Sequence, residues 1–255
     1  HNYRRTHEFN MWFTIAVPPG ADLQAHVDAL HAHAGAESTR MLPTLRLFKI
    51  GVTLDMTGER AMDHRSEPQY THEKREIAAT HALSARDQDI IRAVQGDLPL
   101  ETDPFAAAAR TLGMTADALI DAMLDLQRRG FLRRFAAILR HRKAGFGANG
   151  MAVWAVSEDD IRAAGQAMAG YTAISHCYQR PIYPDWKYNL FTMIHARKKT
   201  ECEEFVQELA AQHGLRDYAV LYSTTEYKKV RLAYFTGEHD AWEQRYLKEP
   251  AVRGA

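Results

Sequence analysis

The residues best suited to chemistry in this chain stand in a short row that is written twice. His1, Tyr3 and Arg5 alternate in HNYRR, and His176, Tyr178 and Arg180 alternate in HCYQR. Residues two apart share one face of a β-strand, so each row sets an imidazole, a phenol and a guanidinium side by side. Arginine forks a carboxylate through two parallel N–H donors, and imidazole exchanges protons near neutrality. Such a row can hold a partly aromatic anion and hand it a proton. Cys177 and Gln179 face the other way. A single row is compatible with an ordinary solvated strand, but a second copy at constant spacing argues for a selected arrangement.

The spacing shows that the copies are a repeat. His176 follows His1 by 175 positions, as Tyr178 follows Tyr3 and Arg180 follows Arg5. Asn189 then follows Asn10 by 179 positions, as Ile194 follows Ile15, Tyr227 follows Phe48 and Lys228 follows Lys49. The four extra residues fall in IYPDW, a proline-containing loop that carries Asp185 and Trp186. Even Thr57-Gly58-Glu59 and Thr236-Gly237-Glu238 keep the longer spacing, so the duplication covers roughly the first sixty residues and their counterpart near the end. The copies differ where Gln179 stands against Arg4, so two equivalent working sites are not expected. The pocket of His176 and Arg180, completed by the other half, is the preferred one.

Elements of the right period exist to position these rows. Phe9 to Val17 reads as a buried strand ended by Pro18-Pro19-Gly20. Leu23, Val27 and Leu30 recur at helical spacing after Asp22. Leu45 to Leu54 returns as a strand, which makes the back half of a ferredoxin-like unit. A complete unit follows later: strand Gly150 to Val156, helix Ser157 to Met168, hairpin strands Thr172 to Arg180 and Tyr188 to His195, helix Thr200 to His213 and strand Tyr218 to Tyr227. The expected fold class is α+β, with tandem ferredoxin-like domains around a winged helix-turn-helix, an order that resembles regulators whose ligand-binding domain is of the AsnC/Lrp type. The expected boundaries are 1–54 for the truncated first domain, 55–82 for a polar linker, 83–145 for the winged helix-turn-helix, 146–235 for the second domain and 236–255 for a tail. The two ferredoxin-like units should bury apolar sheet faces against each other as a pseudo-symmetric pair.

The middle region resembles a DNA-binding module. Ser84 and Asp87 have capping-box spacing ahead of Ile90, Ile91 and Val94. A second helix begins near Pro104, a third runs from Thr115 to Arg129, and Phe131 to Arg142 reads as a wing. The third helix nevertheless presents Asp117, Asp121 and Asp125 at successive i,i+4 positions, opposite Leu119, Ile120, Met123 and Leu126. Carboxylates there would be repelled by phosphates. Arg128, Arg129, Arg133, Arg134, Arg140 and Arg142 could form a basic patch, but beyond the helix that would read bases. No DNA partner is expected.

Composition sets further bounds. The 255 residues are 46% hydrophobic, enough for a real core, and 32 Lys plus Arg balance 32 Asp plus Glu. Net charge therefore asks for no nucleic-acid or membrane partner, and any basic site must be local. Cys177 and Cys202 match no disulfide framework or metal motif, which suits a reducing cytoplasm. No apolar run approaches the roughly 20 residues of a bilayer span, and no signal peptide is visible. The chain opens on His1 inside a repeat, which points to further sequence upstream.

HCYQRPIYPDWKYNLFTMIHA and HNYRRTHEFNMWFTIAV, together with MLPTLRLFKIGV and YSTTEYKKVRLAYF, resemble the sirohaem (siroheme) decarboxylase family. The tandem order is similar to its fused NirD/NirL form in haem d1 biosynthesis and related to the AhbA/AhbB pair of the alternative haem route; the fusion leans towards denitrification. The resemblance covers nearly the whole chain and implies an enzyme that removes the carboxyl groups of the C12 and C18 acetates of sirohaem. It implies a carboxy-lyase with no separate cofactor, since sirohaem is the substrate and brings its own iron. Expected partners are sirohaem, its partly decarboxylated form and, in some settings, NirG/NirH-like subunits. The alternative is a Lrp/AsnC-type transcription regulator that senses a small ligand.

A flat polyanion needs cations around aromatic walls. Arg4, Arg5, Arg180, Lys49 and Lys228 are the expected charges, with Tyr3 and Tyr178 beside them. Phe9, Trp12, Trp186, Tyr188 and Phe191 are the expected walls, unless they are ordinary core. His176 or His1 is the expected proton donor, with axial ligation of the sirohaem iron as the competing role. No protein-bound metal is expected.

Overall fold

The apolar runs of the second repeat pair into the centre of a seven-stranded antiparallel sheet in the computed structural model, which describes residues 1–18, 20–51, 65, 80–132, 135 and 148–248. The strands are β1 (Asn2–Arg5), β2 (Met11–Phe13), β3 (Arg46–Ile50), β4 (Ala148–Trp154), β5 (Ile174–Gln179), β6 (Leu190–Ala196) and β7 (Tyr218–Lys228), in the order β2-β1-β7-β4-β6-β5-β3. The inner four have ferredoxin-like order. The helices are α1 (Leu23–Ala34), α2 (Ala85–Val94), α3 (Ala106–Thr111), α4 (Ala116–Arg128), α5 (Ile161–Ala169), α6 (Lys199–Gln212) and α7 (Glu238–Glu243), the last running into a π-turn at Gln244–Lys248.

One sheet face is buried under α5 and α6. Ile161, Ala164, Gly165, Met168 and Ala169 on α5, and Cys202, Phe205, Val206, Leu209 and Ala210 on α6, recur every three or four residues and form one apolar stripe on each helix. They meet Trp154, Ile174, Cys177, Leu190 and Ile194 from the strands. Gly165 admits Phe48 of β3: a Cβ placed there would stand 2.4 Å from the Phe48 ring. Gly165→Ala should therefore destabilise the chain by about 1–3 kcal/mol through overpacking, read as a lower urea midpoint at unchanged slope.

The first repeat is divided between the two ends of the sheet. β1 pairs with β7 on one side, and β3 pairs with β5 on the other. Asn2 faces Lys228, Tyr3 faces Glu226 and Arg4 faces Thr225; across the sheet, Cys177 faces Lys49, Tyr178 faces Leu47 and Gln179 faces Arg46. By the repeat spacing these are the same three pairs, and the same one-residue register shift interrupts both ladders. The two copies thus repeat one pairing pattern, and the halves are joined edge to edge through backbone hydrogen bonds. The expectation of stacked sheet faces left out this pairing, because unsatisfied edge N–H and C=O groups are invisible in a hydrophobic pattern.

β2 is shorter than the expected strand because Arg5 N–H donates to Asn10 O and turns the chain early, and β3 ends at Ile50, with residues 52–54 of the expected strand outside the described residues. The expected linker lies outside the described residues except at Arg65 and residues 80–82. There the Arg65 guanidinium sits 3.5 Å from the Tyr171 ring centroid. Thr57-Gly58-Glu59 is also outside them.

α2, α3 and α4 form a separate small core around Ile90, Val94, Leu119, Met123 and Leu126, with Phe131 and Leu132 packed against it. Ser84 and Asp87 complete a reciprocal capping box. Ile120 is exposed rather than inward, since one residue past Leu119 turns its side chain some 100° away. Asp117 and Asp121 face solvent, whereas Asp125 pairs with Arg128 and Arg129, and Arg129 also grips Asp87. Those hydrogen bonds hold the Asp87 carboxyl at about 2. The expected wing, with Arg133, Arg134, Arg140 and Arg142, lies outside the described residues apart from Phe131, Leu132 and Phe135. No helix among the described residues is long and apolar enough to cross a membrane.

Candidate active site

The sheet face opposite α5 and α6 floors a cleft of about 2040 Å³, twice the upper end of the roughly 300–1,000 Å³ typical of drug-sized ligands. Leu23, Val27 and Leu30 of α1 and the strap of residues 36–43 complete its wall. Both rows reach it. His1, Tyr3 and Arg5 on β1, and His176, Tyr178 and Arg180 on β5, line this one cleft from opposite sides of the sheet. Alternation sends Cys177 into the apolar core.

The two arginines repeat each other closely. Arg5 lies 5.7 Å from the Tyr3 ring centroid and 5.9 Å from that of Trp12; Arg180 lies 5.0 Å from that of Tyr178 and 5.4 Å from that of Phe191. Arg5 Nη1 donates to Leu221 O at 3.2 Å, and Arg180 Nη1 donates to Leu42 O. Leu42 and Leu221 stand at the 179-residue spacing, so each arginine ties down a carbonyl of the opposite half. Burial pulls both guanidinium pKa values down from the ordinary arginine range. Arginine stays protonated nonetheless, so each is a cation already stripped of much of its water and correspondingly strong towards an anion.

His176 belongs to a relay that the first repeat lacks. A β-bulge between Ile174 and His176 leaves Ser175 as an extra residue. Its Oγ lies 2.7 Å from His176 Nδ1 and 2.7 Å from His195 Nε2, while His195 Nδ1 is 2.7 Å from Asn149 Oδ1. The one Ser175 hydroxyl proton has two acceptors in reach, Met193 O at 3.3 Å and His195 Nε2 at 2.7 Å; with Asn149 Oδ1 accepting from His195 Nδ1–H and His195 Nε2 accepting from Ser175, Ser175 Oγ accepts from His176 Nδ1–H. The position equivalent to His195 is Ala16. His1 is exposed, with Nδ1 only 3.5 Å from Tyr3 Oη.

An aromatic wall closes one side. Trp186 is buried between His7, Phe9, Trp12, Tyr188 and Phe191, and its Nε1 donates to Tyr188 O at 2.9 Å. Phe9, Trp12, Trp186 and Phe191 line the cleft, whereas Tyr188 stands behind Trp186. The inserted loop also fixes the strap: Asp185 accepts from Arg40 Nε at 3.0 Å and Nη2 at 2.6 Å, and Tyr183 Oη donates to Met41 O. The Arg40 hydrogen bonds hold the Asp185 carboxyl below the usual carboxylate range.

Three expected cations are placed elsewhere. Arg4 is exposed on the opposite face of β1, as alternation requires. Lys49 is buried, donates to Tyr171 O at 2.6 Å, and has its pKa lowered by burial to about 8. Lys228 is exposed outside the cleft, and the next residue, Lys229, lines it instead. Among the described residues, Arg5, Arg40, Arg180, Arg197, Lys199, Lys229 and Arg231 face the cleft against Glu8, Glu37 and Glu226. Sequence reading missed Ser175, Asn149, His195 and the late cations. The substitution of histidine for alanine at the second-repeat counterpart of Ala16 was the visible signal.

The AsnC-like ligand-binding domain family matches residues 1–49 and 143–228, and the siroheme decarboxylase NirDL-like HTH domain family matches residues 87–133. The chain is 38% identical over 243 residues to a siroheme decarboxylase of Hydrogenobacter thermophilus, covering 95% of this chain and 70% of that relative. It is 40% identical over 147 residues to the siroheme decarboxylase beta subunit of Methanosarcina barkeri, covering 58% of this chain and 97% of that relative. The crystal structure of the siroheme decarboxylase NirDL in co-complex with an iron-uroporphyrin III analogue superposes with a TM-score of 0.65 at 32% identity, covering 97% of this chain and 70% of that one.

Proposed function

Since the chain belongs to the siroheme decarboxylase family, we propose that its cleft binds sirohaem and that His176, Tyr178 and Arg180 serve the loss of the C12 and C18 acetate carboxyls. One observation carries the assignment to the cleft. In a chain of zero net charge, seven cations against three carboxylates among the described residues gather around an aromatic-walled space lined by both His-x-Tyr-x-Arg rows.

The reaction exchanges a carboxylate for a proton. The bond from the acetate methylene to its carboxyl carbon breaks, carbon dioxide leaves, and the electron pair spreads into the macrocycle until a proton reaches the methylene and makes it a methyl group. Arg180 holds the departing carboxylate, and Tyr178 stacks beside it. His176 gives the proton through Nε2, its Nδ1–H being oriented by Ser175, His195 and Asn149. No further cofactor is proposed, because the macrocycle is itself the electron sink. We place the reaction ahead of haem d1, following the fused domain order, and in the cytoplasm.

The regulator reading is not favoured. Asp117 and Asp121 face solvent on the helix that would enter a DNA groove. Anaerobic incubation of the protein with sirohaem should give a product lighter by carbon dioxide for each acetate processed. Recovery of unchanged sirohaem would reject the assignment.

A further inference from the structure

A second cluster of chemically competent side chains lies outside the cleft, where α7 packs on α1. His26 of α1 and His239 and Glu243 of α7 bring two ring nitrogens and a carboxylate oxygen within 4.8 Å of one another. His26 is almost wholly buried, with Trp242 stacked on it at 5.2 Å and His239 at 5.2 Å between ring centroids. We propose that these three residues form a zinc-class divalent cation site that clamps the C-terminal helix to α1.

Geometry, tautomer and unmet bonding capacity agree on this. Glu243 Oε1 is 3.2 Å from His26 Nε2 and 3.5 Å from His239 Nε2. Donors bound tetrahedrally to zinc at its usual bond lengths stand about 3.3–3.6 Å apart. His26 Nδ1 lies 2.7 Å from Asp22 O, and a carbonyl can only accept, so Nδ1 carries the proton and Nε2 offers its lone pair. Such a carbonyl-oriented imidazole is the arrangement that fixes metal-binding histidines. Neither His26 Nε2 nor His239 Nε2 has a hydrogen bond of proper geometry, although both are buried. A buried nitrogen left so is costly, and a cation between the two rings and the Glu243 carboxylate would satisfy both lone pairs at once.

The donor set also limits the ion. Two imidazoles and one carboxylate suit zinc and neighbouring first-row metals, whereas magnesium and calcium prefer oxygen donors throughout. Side chains of His239 and Glu243 that are 24% and 21% exposed leave an opening for water as a fourth ligand. His239 and Glu243 are one helical turn apart, so a short helix delivers both. The neighbouring face of α1 carries Leu23, Val27 and Leu30 into the cleft. A bound cation would thus steady the helix that walls the cleft while taking no part in it.

Untagged, chelator-treated protein free of tetrapyrrole should be titrated with cobalt(II) and zinc(II). One equivalent of cobalt per chain is expected, with the intense visible bands of a four- or five-coordinate ion, displaced by zinc. Zinc should also raise the melting temperature. His239→Ala and the near-isosteric Glu243→Gln should each weaken binding by more than about 100-fold and remove the zinc-dependent melting shift, since even second-shell losses cost about 10–100-fold. His33→Ala, which removes an exposed histidine of α1 that packs on Tyr246 but lies outside the donor set, should leave the cobalt stoichiometry and the zinc-dependent melting shift unchanged. No stoichiometric cobalt, or cobalt retained by His239→Ala and Glu243→Gln, or cobalt lost in His33→Ala, would overturn the proposal in favour of a plain histidine–carboxylate contact.

Discussion

His176→Gln should lower sirohaem turnover by about 10²–10⁴-fold while the protein still binds its substrate. Glutamine keeps a hydrogen-bonding group near Ser175 but cannot deliver a proton at neutral pH. Once carbon dioxide has left, the methylene carbanion waits on that proton, so the loss should appear in single-turnover release of product and not in the binding constant. The Soret band separates the two roles of an imidazole at this place. An unchanged band in the Gln variant with turnover lost assigns His176 as the acid; a shifted band assigns it as the iron ligand. Normal turnover would remove His176 from the mechanism. Ser175→Ala should have a smaller effect, roughly tenfold, and should displace the pH profile, because it leaves the imidazole in place and removes only what orients it.

The divided legibility of this chain has a physical origin. Local patterns carried the elements: the capping box at Ser84, the apolar stripes of α5 and α6, and the alternation that puts Tyr178 in the cleft and Cys177 in the core. The repeat carried more, since Leu42 and Leu221, and Trp12 and Phe191, take equivalent places around Arg180 and Arg5. What could not be read was pairing between edges. β3 joins β5 across more than a hundred residues, and no local pattern names a partner at that distance. Side-chain destinations failed for a related reason. Lys49 and Lys228 are equivalent in sequence, yet one is buried against Tyr171 O just past the end of α5 and the other is exposed at the last residue of β7. His195 was overlooked because its contact with Ser175 depends on a bulge that only the folded ladder reveals.

Arg180→Ala is expected to cost about 2–4 kcal/mol in kcat/KM, or roughly thirty- to a thousand-fold, from the loss of a charge-assisted contact to the leaving carboxylate. The structure adds a second consequence. Arg180 also ties Leu42 O of the strap, so its removal frees residues 39–42 on one side while Arg40 and Tyr183 still hold them on the other. Binding should therefore weaken together with turnover, and the fold should survive, because the core under α5 and α6 does not include this side chain. Arg40→Ala loosens the strap without touching either row, at the further cost of one cleft cation, so it sets an upper limit on what the strap contributes. If loosening the strap were the whole effect, Arg40→Ala would reproduce much of the loss; a mild Arg40→Ala beside a severe Arg180→Ala assigns the difference to the carboxylate. Arg180→Lys should rescue only in part, since an ammonium keeps the charge but cannot fork a carboxylate while holding Leu42 O. Gln179→Ala, on the opposite face of the same strand, should be nearly silent. Normal turnover by Arg180→Ala would move the working half of the cleft to Arg5, which makes the equivalent contacts with Tyr3, Trp12 and Leu221 O.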